Sequence, residues 1–431
     1  MGYRTEGGAA PGNTQMEVRH LNMDAEVGIV GAGPAGARLA ERLASEGVDV
    51  IMFDPKAPWE KPCGGGLTPT LLDELPELAE LTDQARRIDE VRVEVSPAEG
   101  FTVPLDRPIR IVSRTALAEW QLDRAEAAGA RHLRERVDHI SSYAGGWKLR
   151  TGTRSWTVRF LVGADGAASL VRRVAAPRLK IELAPTRVAY PAIGGASPDT
   201  MVLKFYEGIA GYLWDFPRPD HRSVGVGVPN GTWRRPRLDG EVDEYRGSSD
   251  ACACEEPPRA GAVIGTAQLA HGDYSKIAGE RYALLGDAAG LADPLTGEGI
   301  QNALRSADLL ADALLDGDPE SYAERARRAF EREFQVSRVL RAGMFETERG
   351  VRLIERAARG RASYALVVAI TNALNEHYFN PFRLALRWRR AYRRVRSEGT
   401  RPGRARSVQG SCSCGAAGGA GRECVDRPSA A

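Results

Sequence analysis

The segment AEVGIVGAGPAGARLAERLASEGVDVIMFD, residues 25–54, decides how the rest of the chain is read. AEVGIV is a short apolar run bounded by glycines, which suits a buried parallel strand. GAGPAG, Gly31 to Gly36, follows it in the spacing G-x-G-x-x-G. ARLAERLASEG then repeats apolar residues at helical intervals and stops at a glycine. VDVIMFD reads as a second buried strand that ends at Asp54. Together these form a βαβ unit of about 30 residues. In such a unit Gly31 permits the tight turn, Gly33 lets the backbone approach a pyrophosphate, and Gly36 lets helix and strand pack closely, with Ala35 in the same turn. The helix start offers N–H groups and positive potential to phosphates. A carboxylate at Asp54 can accept both hydroxyls of an adenosine ribose.

The chain of 431 residues has room for two modest domains or one elaborate one. Its 43% hydrophobic and 27% charged residues give a soluble globular balance. The net charge is +2, and arginines and acids are interspersed over most of the chain, so no nucleic-acid partner is expected. Residues 1–22 lack the apolar core of a signal peptide, and no apolar run reaches the roughly 20 residues that span a bilayer. The cysteines at 63, 252, 254, 412, 414 and 424 form no disulfide framework, so a cytoplasmic location is expected. Cys252/Cys254 and Cys412/Cys414 are too closely spaced for an ordinary zinc knuckle, and no metal site is expected.

Further along, IDEVRVEVSPAEGFTVPL, residues 88–105, alternates as two antiparallel strands around a turn. TALAEWQLDRAEAAG reads as a helix, and residues 137–160 have hairpin character. Residues 183–275, rich in Gly, Pro and aromatics, suggest a second, mostly antiparallel sheet. The chain after Pro319 reads as charged helices to about Arg396, and Gly, Ala, Ser and Arg dominate thereafter, as in disordered tails.

Two more constellations carry chemistry. In LVGADGAAS, Leu161 to Ser169, a strand ends at Asp165 and Gly166; alone this is an ordinary Asp-Gly turn. In YALLGDAAGLADPLTGEGIQNAL, Tyr282 to Leu304, a buried strand ends at Gly286 and Asp287. A loop with Pro294, Gly297 and Gly299 then opens a long helix at Ile300. Asp287 is placed to accept hydrogen bonds from a sugar-alcohol chain, or to cap a helix. The N–H groups at Gly299 and Ile300 can stabilise a developing anion.

The order and spacing of these three motifs resemble the two-domain FAD-dependent oxidoreductases related to aromatic hydroxylases, over roughly Ala25 to Leu315. The resemblance implies an α/β fold (α+β overall): a Rossmann-type, FAD-binding parallel sheet, an antiparallel sheet covering the substrate, and a C-terminal helical region. It implies an FAD-binding domain from 23–87, 106–176 and 276–318 and a substrate domain from 88–105 and 177–275; the composition adds helices over 319–396 and tails at 1–22 and 397–431. It places Asp165 and Gly166 near FAD, Asp287 at the ribityl and pyrophosphate region, Asp54 at the adenosine ribose, and Arg114, at a helix start, near the flavin.

Two patterns narrow the family. GYLWDFPRPDHRSVGVGV, Gly211 to Val228, sets Tyr212, Trp214 and Phe216 on one face of a strand, followed by Pro217 and then Gly225 and Gly227, glycines that would leave room beside that aromatic wall. Taken alone it reads as core packing. Its spacing is similar to the Y-x-W-x-F-P…G-x-G pattern of geranylgeranyl reductases, in which the aromatic strand lines a tunnel for an isoprenoid chain. That family also carries the Lys-Pro-Cys-Gly-Gly-Gly-Leu loop found at Lys61 to Leu67. In that loop Gly64, Gly65 and Gly66 would let the backbone pass against a flat ring or a prenyl chain. The implied activity is reduction of isoprenoid double bonds by hydride from reduced FAD, with NADPH or a ferredoxin-type carrier as donor. Cys63 and Tyr212 are the candidate catalytic residues because each can carry a proton. A flavin monooxygenase and an electron carrier to quinone share the FAD motifs. The partner is an isoprenoid small molecule or lipid. Arg383–Arg396, with seven arginines and interleaved apolar residues, reads either as a peripheral membrane contact or as a solvated helix packed on the core.

Overall fold

The computed structural model describes residues 23–397 except 97, 193–199, 230, 249–256, 267–272, 346–347 and 377–380. The expected tails, apart from Ser397, and every cysteine but Cys63 lie outside the described residues. Strand β1 (Ala25–Val30) leads through helix α1 (Pro34–Ser45) to β2 (Val50–Phe53). Only Glu26 of the two strands is exposed, so they sit at the covered centre of a parallel sheet. Next come β3 (Gly66–Leu67), α2 (Pro69–Glu74), the long pair β4 (Arg86–Ser96) and β5 (Ala98–Ile111), and α3 (Arg114–Ala127). Strands β6 (Arg131–Leu133), β7 (His139–Tyr143), β8 (Gly146–Thr151) and β9 (Arg154–Gly163) precede α4 (Leu170–Ala175). Four strands follow, β10 (Glu182–Ala189), β11 (Thr200–Tyr206), β12 (Ile209–Pro217) and β13 (Arg222–Gly227), then α5 (Arg235–Ser248) and β14 (Arg259–Thr266). The chain returns through β15 (Ala278–Gly279), β16 (Tyr282–Leu284), α6 (Gly286–Ala289) and α7 (Ile300–Leu315). Helices α8 (Ser321–Phe345), α9 (Glu348–Ala357), α10 (Arg361–Asn375) and α11 (Pro381–Ser397) end the described chain.

The first sheet runs β15-β16-β9-β1-β2-β6, with the β7–β8 hairpin attached to β9. Strands β16, β9, β1, β2 and β6 are parallel. Val30 stands opposite both Phe53 and Gly163, and Leu284 opposite Gly163. The turns after β1, β2, β9 and β16 therefore open on one edge, where ligands of such sheets bind.

The second sheet runs β14-β10-β13-β12-β11-β4-β5-β3 and is antiparallel except where β4 meets β11. It reaches further than the alternation of residues 88–105 suggests. Strand β5 runs on through Asp106-Arg107-Pro108 to Ile111, and the Asp106 N–H donates to Asn372 Oδ1 of α10 at 2.6 Å. One face of this sheet packs on α5 through Leu238, Val242 and Tyr245. Its other face packs on α9 and α10 through Ile354, Tyr364, Val367 and Val368. Helix α10 is thereby a core element: Tyr364 Oη donates to Thr102 O at 2.7 Å and Asn372 Nδ2 to Pro104 O at 3.0 Å. Among the described residues no helix is long and apolar enough to cross a membrane.

Candidate functional site

The turns at the carboxyl edge of the first sheet enclose a cavity of about 680 Å³. Its lining includes Gly31, Gly33, Ala35, Asp54, Gly64, Arg114, Asp165, Gly166, Gly286, Asp287, Gly297, Gly299 and Ile300, so residues from five separate stretches meet there. The three motif glycines play different parts. Gly31 has φ +101°, and a Cβ on it would lie 2.3 Å from the Ala164 carbonyl. Gly36 sits behind the cavity wall, its Cβ position 2.0 Å from the Gly31 carbonyl oxygen. Gly33 has φ −75°, which any residue adopts, and a Cβ there would meet nothing within 4 Å. No neighbour in the protein requires that glycine, so its bareness serves a group from outside the chain.

Several polar groups are set for such a group. Asp54 Oδ2 accepts from the Ala32 N–H at 3.0 Å, and Oδ1 from Lys56 and Ala57, which leaves acceptor capacity on the cavity side. Asp165 Oδ2 accepts from Leu170 N at 2.6 Å, while its buried Oδ1 has no hydrogen-bond partner. Burial pushes the Asp165 carboxyl up against the pull of these N–H donors. Arg114 is 5% exposed, and its Nε has no partner. Lys61 Nζ reaches Asp287 Oδ2 at 3.2 Å. Helices α1 and α7 both begin at the cavity with glycine N-caps, which supply no side-chain acceptor; at α7 Glu298 Oε1 instead accepts from the Gln301 N–H at 2.8 Å. A bare glycine, orphaned buried polar atoms and an open helix start at α1 fit a dinucleotide such as FAD.

The Cys-Gly-Gly-Gly loop is fixed by a buried ion pair that sequence reasoning missed. Arg218 is 0% exposed. Its guanidinium donates to Glu60 and, at 2.6 Å, to the Cys63 carbonyl, which Ser223 Oγ also contacts at 3.0 Å. Glu60 accepts in turn from Ser113 Oγ at 2.9 Å and from the N–H groups of Arg114 and Thr115 at the start of α3. Burial opposes the Glu60 charge, but Arg218 and these donors outweigh it and hold its carboxyl at about 2. The pair ties the β12–β13 hairpin, the loop and α3 together. The bareness of the loop is explained mainly by protein neighbours. A Cβ on Gly65, with φ +79°, would lie 2.3 Å from Val112 O, and one on Gly64 would lie 2.4 Å from the Phe216 ring.

Beyond the loop lies a second, apolar cavity of about 250 Å³. It shares Cys63, Gly64, Tyr212, Phe216, Gly299 and Ile300 with the first and continues between the second sheet and α10. Gly65 and Gly66, expected at the cofactor, line this cavity alone. Other expectations also need correction. Pro294 is set back from both cavities. Pro217 is buried and lines neither. The room expected beside Gly225 is filled by Trp214, whose Cζ2 lies 2.3 Å from the Gly225 Cβ position. A Cβ on Gly227 would meet Thr186 Cγ2 at 3.0 Å and the same indole at 3.6 Å. Tyr212 Oη donates to the Thr296 carbonyl, and burial pushes its hydroxyl well above its ordinary value. The cavity wall supplied by α10, including Ile370 and Leu374, was legible only as an apolar stretch.

A family model described as an FAD binding domain matches residues 24–185. The chain is 32% identical over 346 residues to menaquinone reductase of Mycobacterium tuberculosis, an overlap covering 71% of this chain and 81% of that one. It is 28% identical over 335 residues to the chloroplastic geranylgeranyl diphosphate reductase of Oryza sativa subsp. japonica, covering 68% of this chain and 66% of that protein's length. Among solved structures, a geranylgeranyl bacteriochlorophyll reductase-like protein of Thermoplasma acidophilum superposes with a TM-score of 0.66 at 20% identity, covering 87% of this chain and 98% of that one. The chain thus belongs to the geranylgeranyl reductase family of FAD-dependent oxidoreductases.

Proposed function

We propose that the protein reduces carbon–carbon double bonds of an isoprenoid chain carried by a diphosphate, a lipid or a quinone-like head. The observation that carries this reading is the apolar cavity joined to the dinucleotide cavity at Cys63, Gly64, Tyr212 and Phe216. A flat aromatic substrate needs no such extension, whereas a prenyl chain does. Gly31, Gly33, Asp54, Arg114, Asp165, Asp287 and the α7 start would hold FAD, with electrons from NADPH or a ferredoxin-type carrier. When bound and reduced, FAD supplies hydride to one alkene carbon. An isolated alkene is weakly activated, so the chain's own task is to exclude water and align the bond. Tyr212 and Phe216 flank the junction where the bond would lie. Such a substrate would be met at a membrane surface through Arg383–Arg396.

Anaerobic incubation of the dithionite-reduced protein with geranylgeranyl diphosphate, followed by mass spectrometry, is expected to give products heavier by one H2 per bond reduced. Unchanged mass with every prenyl substrate tried would remove this reading. Ile370→Trp, which fills the apolar cavity from α10, is expected to lose long-chain turnover and keep its flavin.

The proton for the second alkene carbon is assigned to Cys63. The Tyr212 hydroxyl proton is committed to the Thr296 carbonyl, and burial holds it tightly. Cys63 faces both cavities, and its Sγ takes only a 3.4 Å contact from the Gly65 N–H. Cys63→Ala is expected to slow alkene reduction about 100-fold with flavin content unchanged. Full turnover in that variant would return the loop's role to its backbone.

A further inference from the structure

Helix α11 divides lengthwise into two faces. Val395 is buried, and Leu384, Trp388, Ala391 and Tyr392 are half-buried along the same side. Trp388 and Tyr392 stack there with ring centroids 5.9 Å apart. Arg387 is tied to this side through Glu376, which accepts two hydrogen bonds from it. The opposite face carries Leu386, Arg389, Arg390, Arg393 and Arg396, all exposed, with Phe382 74% exposed at its start. From Pro381 to Ser397 there are seven arginines and no acid. A helix that needs only solubility mixes its charges, because like charges at i, i+4, such as Arg389 and Arg393, cost stability. Apolar surface exposed at Phe382 and Leu386 beside unmixed positive charge indicates a partner that is anionic and apolar at once.

The geometry points to the outward face of α11 as a docking surface for an anionic lipid bilayer. Phe382 and Leu386 would enter the boundary between headgroups and acyl chains, and the arginines would meet the phosphates. A nucleic acid would engage the arginines and leave both apolar residues in water. Helix α10, which precedes α11, walls the apolar cavity with Ile370 and Leu374, so docking sets that cavity one helix from the membrane. The inference deepens the proposed function and rests on it only for what the membrane would deliver.

The full-length protein with its flavin is sedimented with vesicles of phosphatidylcholine containing about one third phosphatidylglycerol. Expected is binding at least about tenfold tighter than to pure phosphatidylcholine, and release at about 1 M salt, where the screening length falls to about 3 Å. Arg389→Glu/Arg393→Glu is expected to abolish binding and Leu386→Ser to weaken it several-fold, both with unchanged thermal midpoint and unchanged turnover of a water-dispersed prenyl substrate. Equal binding to neutral and anionic vesicles, indifference to both variants, or binding of duplex DNA without vesicle binding would overturn the proposal. Vesicle binding by a protein that reduces no alkene supports docking and sinks only the reductase reading.

Discussion

Replacing Arg218 by Met is expected to lower stability by about 3 kcal/mol and to loosen the loop that joins the two cavities. Arg218 has no exposed surface, and its partner Glu60 is itself largely enclosed. Removing one member of a buried pair strands the other charge, and that penalty exceeds the net value of the pair. Glu60 keeps its donors at the start of α3, which places the loss at the low end of the range. The double variant Arg218→Met/Glu60→Gln is therefore expected to be more stable than Arg218→Met alone. Such a rescue marks direct coupling between the two residues. The pH dependence follows from the depressed Glu60 value. Its carboxyl titrates at about 2 in the folded protein against an ordinary 4.5, so the folded state binds fewer protons between those limits. The stabilisation is complete above the unfolded value and is lost as pH falls through the folded one, a swing that solvent screening of the partly exposed carboxylate holds to about 1–2 kcal/mol. Glu60→Gln should flatten thermal midpoint against pH in that window. A variant that tracks the wild-type curve would show that other carboxylates set the acid limit.

What could be read ahead of the structure follows a physical division. The βαβ unit was legible because each of its signals is local: a run of buried apolar residues, glycines at fixed offsets, an acid at a strand end. The convergence of Asp165 and Asp287 on that unit was legible only through family spacing, since each sits in a turn that is unremarkable alone. Arg218, Glu60 and Ser223 were not legible. Their burial depends on residues more than 100 positions apart meeting across two sheets, and an arginine among Pro, Asp and His looks solvated. The glycines at 225 and 227 were misread for a related reason. Pattern shows that space is needed there, but it does not show that Trp214 takes it at Gly225 and Thr186 crowds it at Gly227.

The same distinction between space taken by the protein and space left for a ligand separates two otherwise similar substitutions. Gly36→Ala is expected to yield a protein that purifies without flavin and melts earlier. Its new methyl would lie 2.0 Å from the Gly31 carbonyl oxygen, against the 3.0 Å below which real Cβ contacts essentially do not occur. That oxygen belongs to backbone and has no rotamer to change, so α1 must move off β1 by about 1 Å. Overpacking of this kind costs about 1–3 kcal/mol, and it shifts the N–H groups that begin α1 at the cavity. Gly33→Ala makes the same chemical change three residues earlier, where the methyl meets no protein atom within 4 Å. Its backbone conformation is open to alanine, and losing a glycine restrains the unfolded chain, so the apoprotein should be no less stable, or about 0.5 kcal/mol more so. Yet FAD affinity is expected to fall at least about tenfold, 1.4 kcal/mol, because the methyl occupies the approach to the pyrophosphate. Flavin titration by fluorescence and thermal melts of both apoproteins separate the cases. Gly33→Ala with undiminished FAD affinity would mean that the pyrophosphate does not lie against the start of α1.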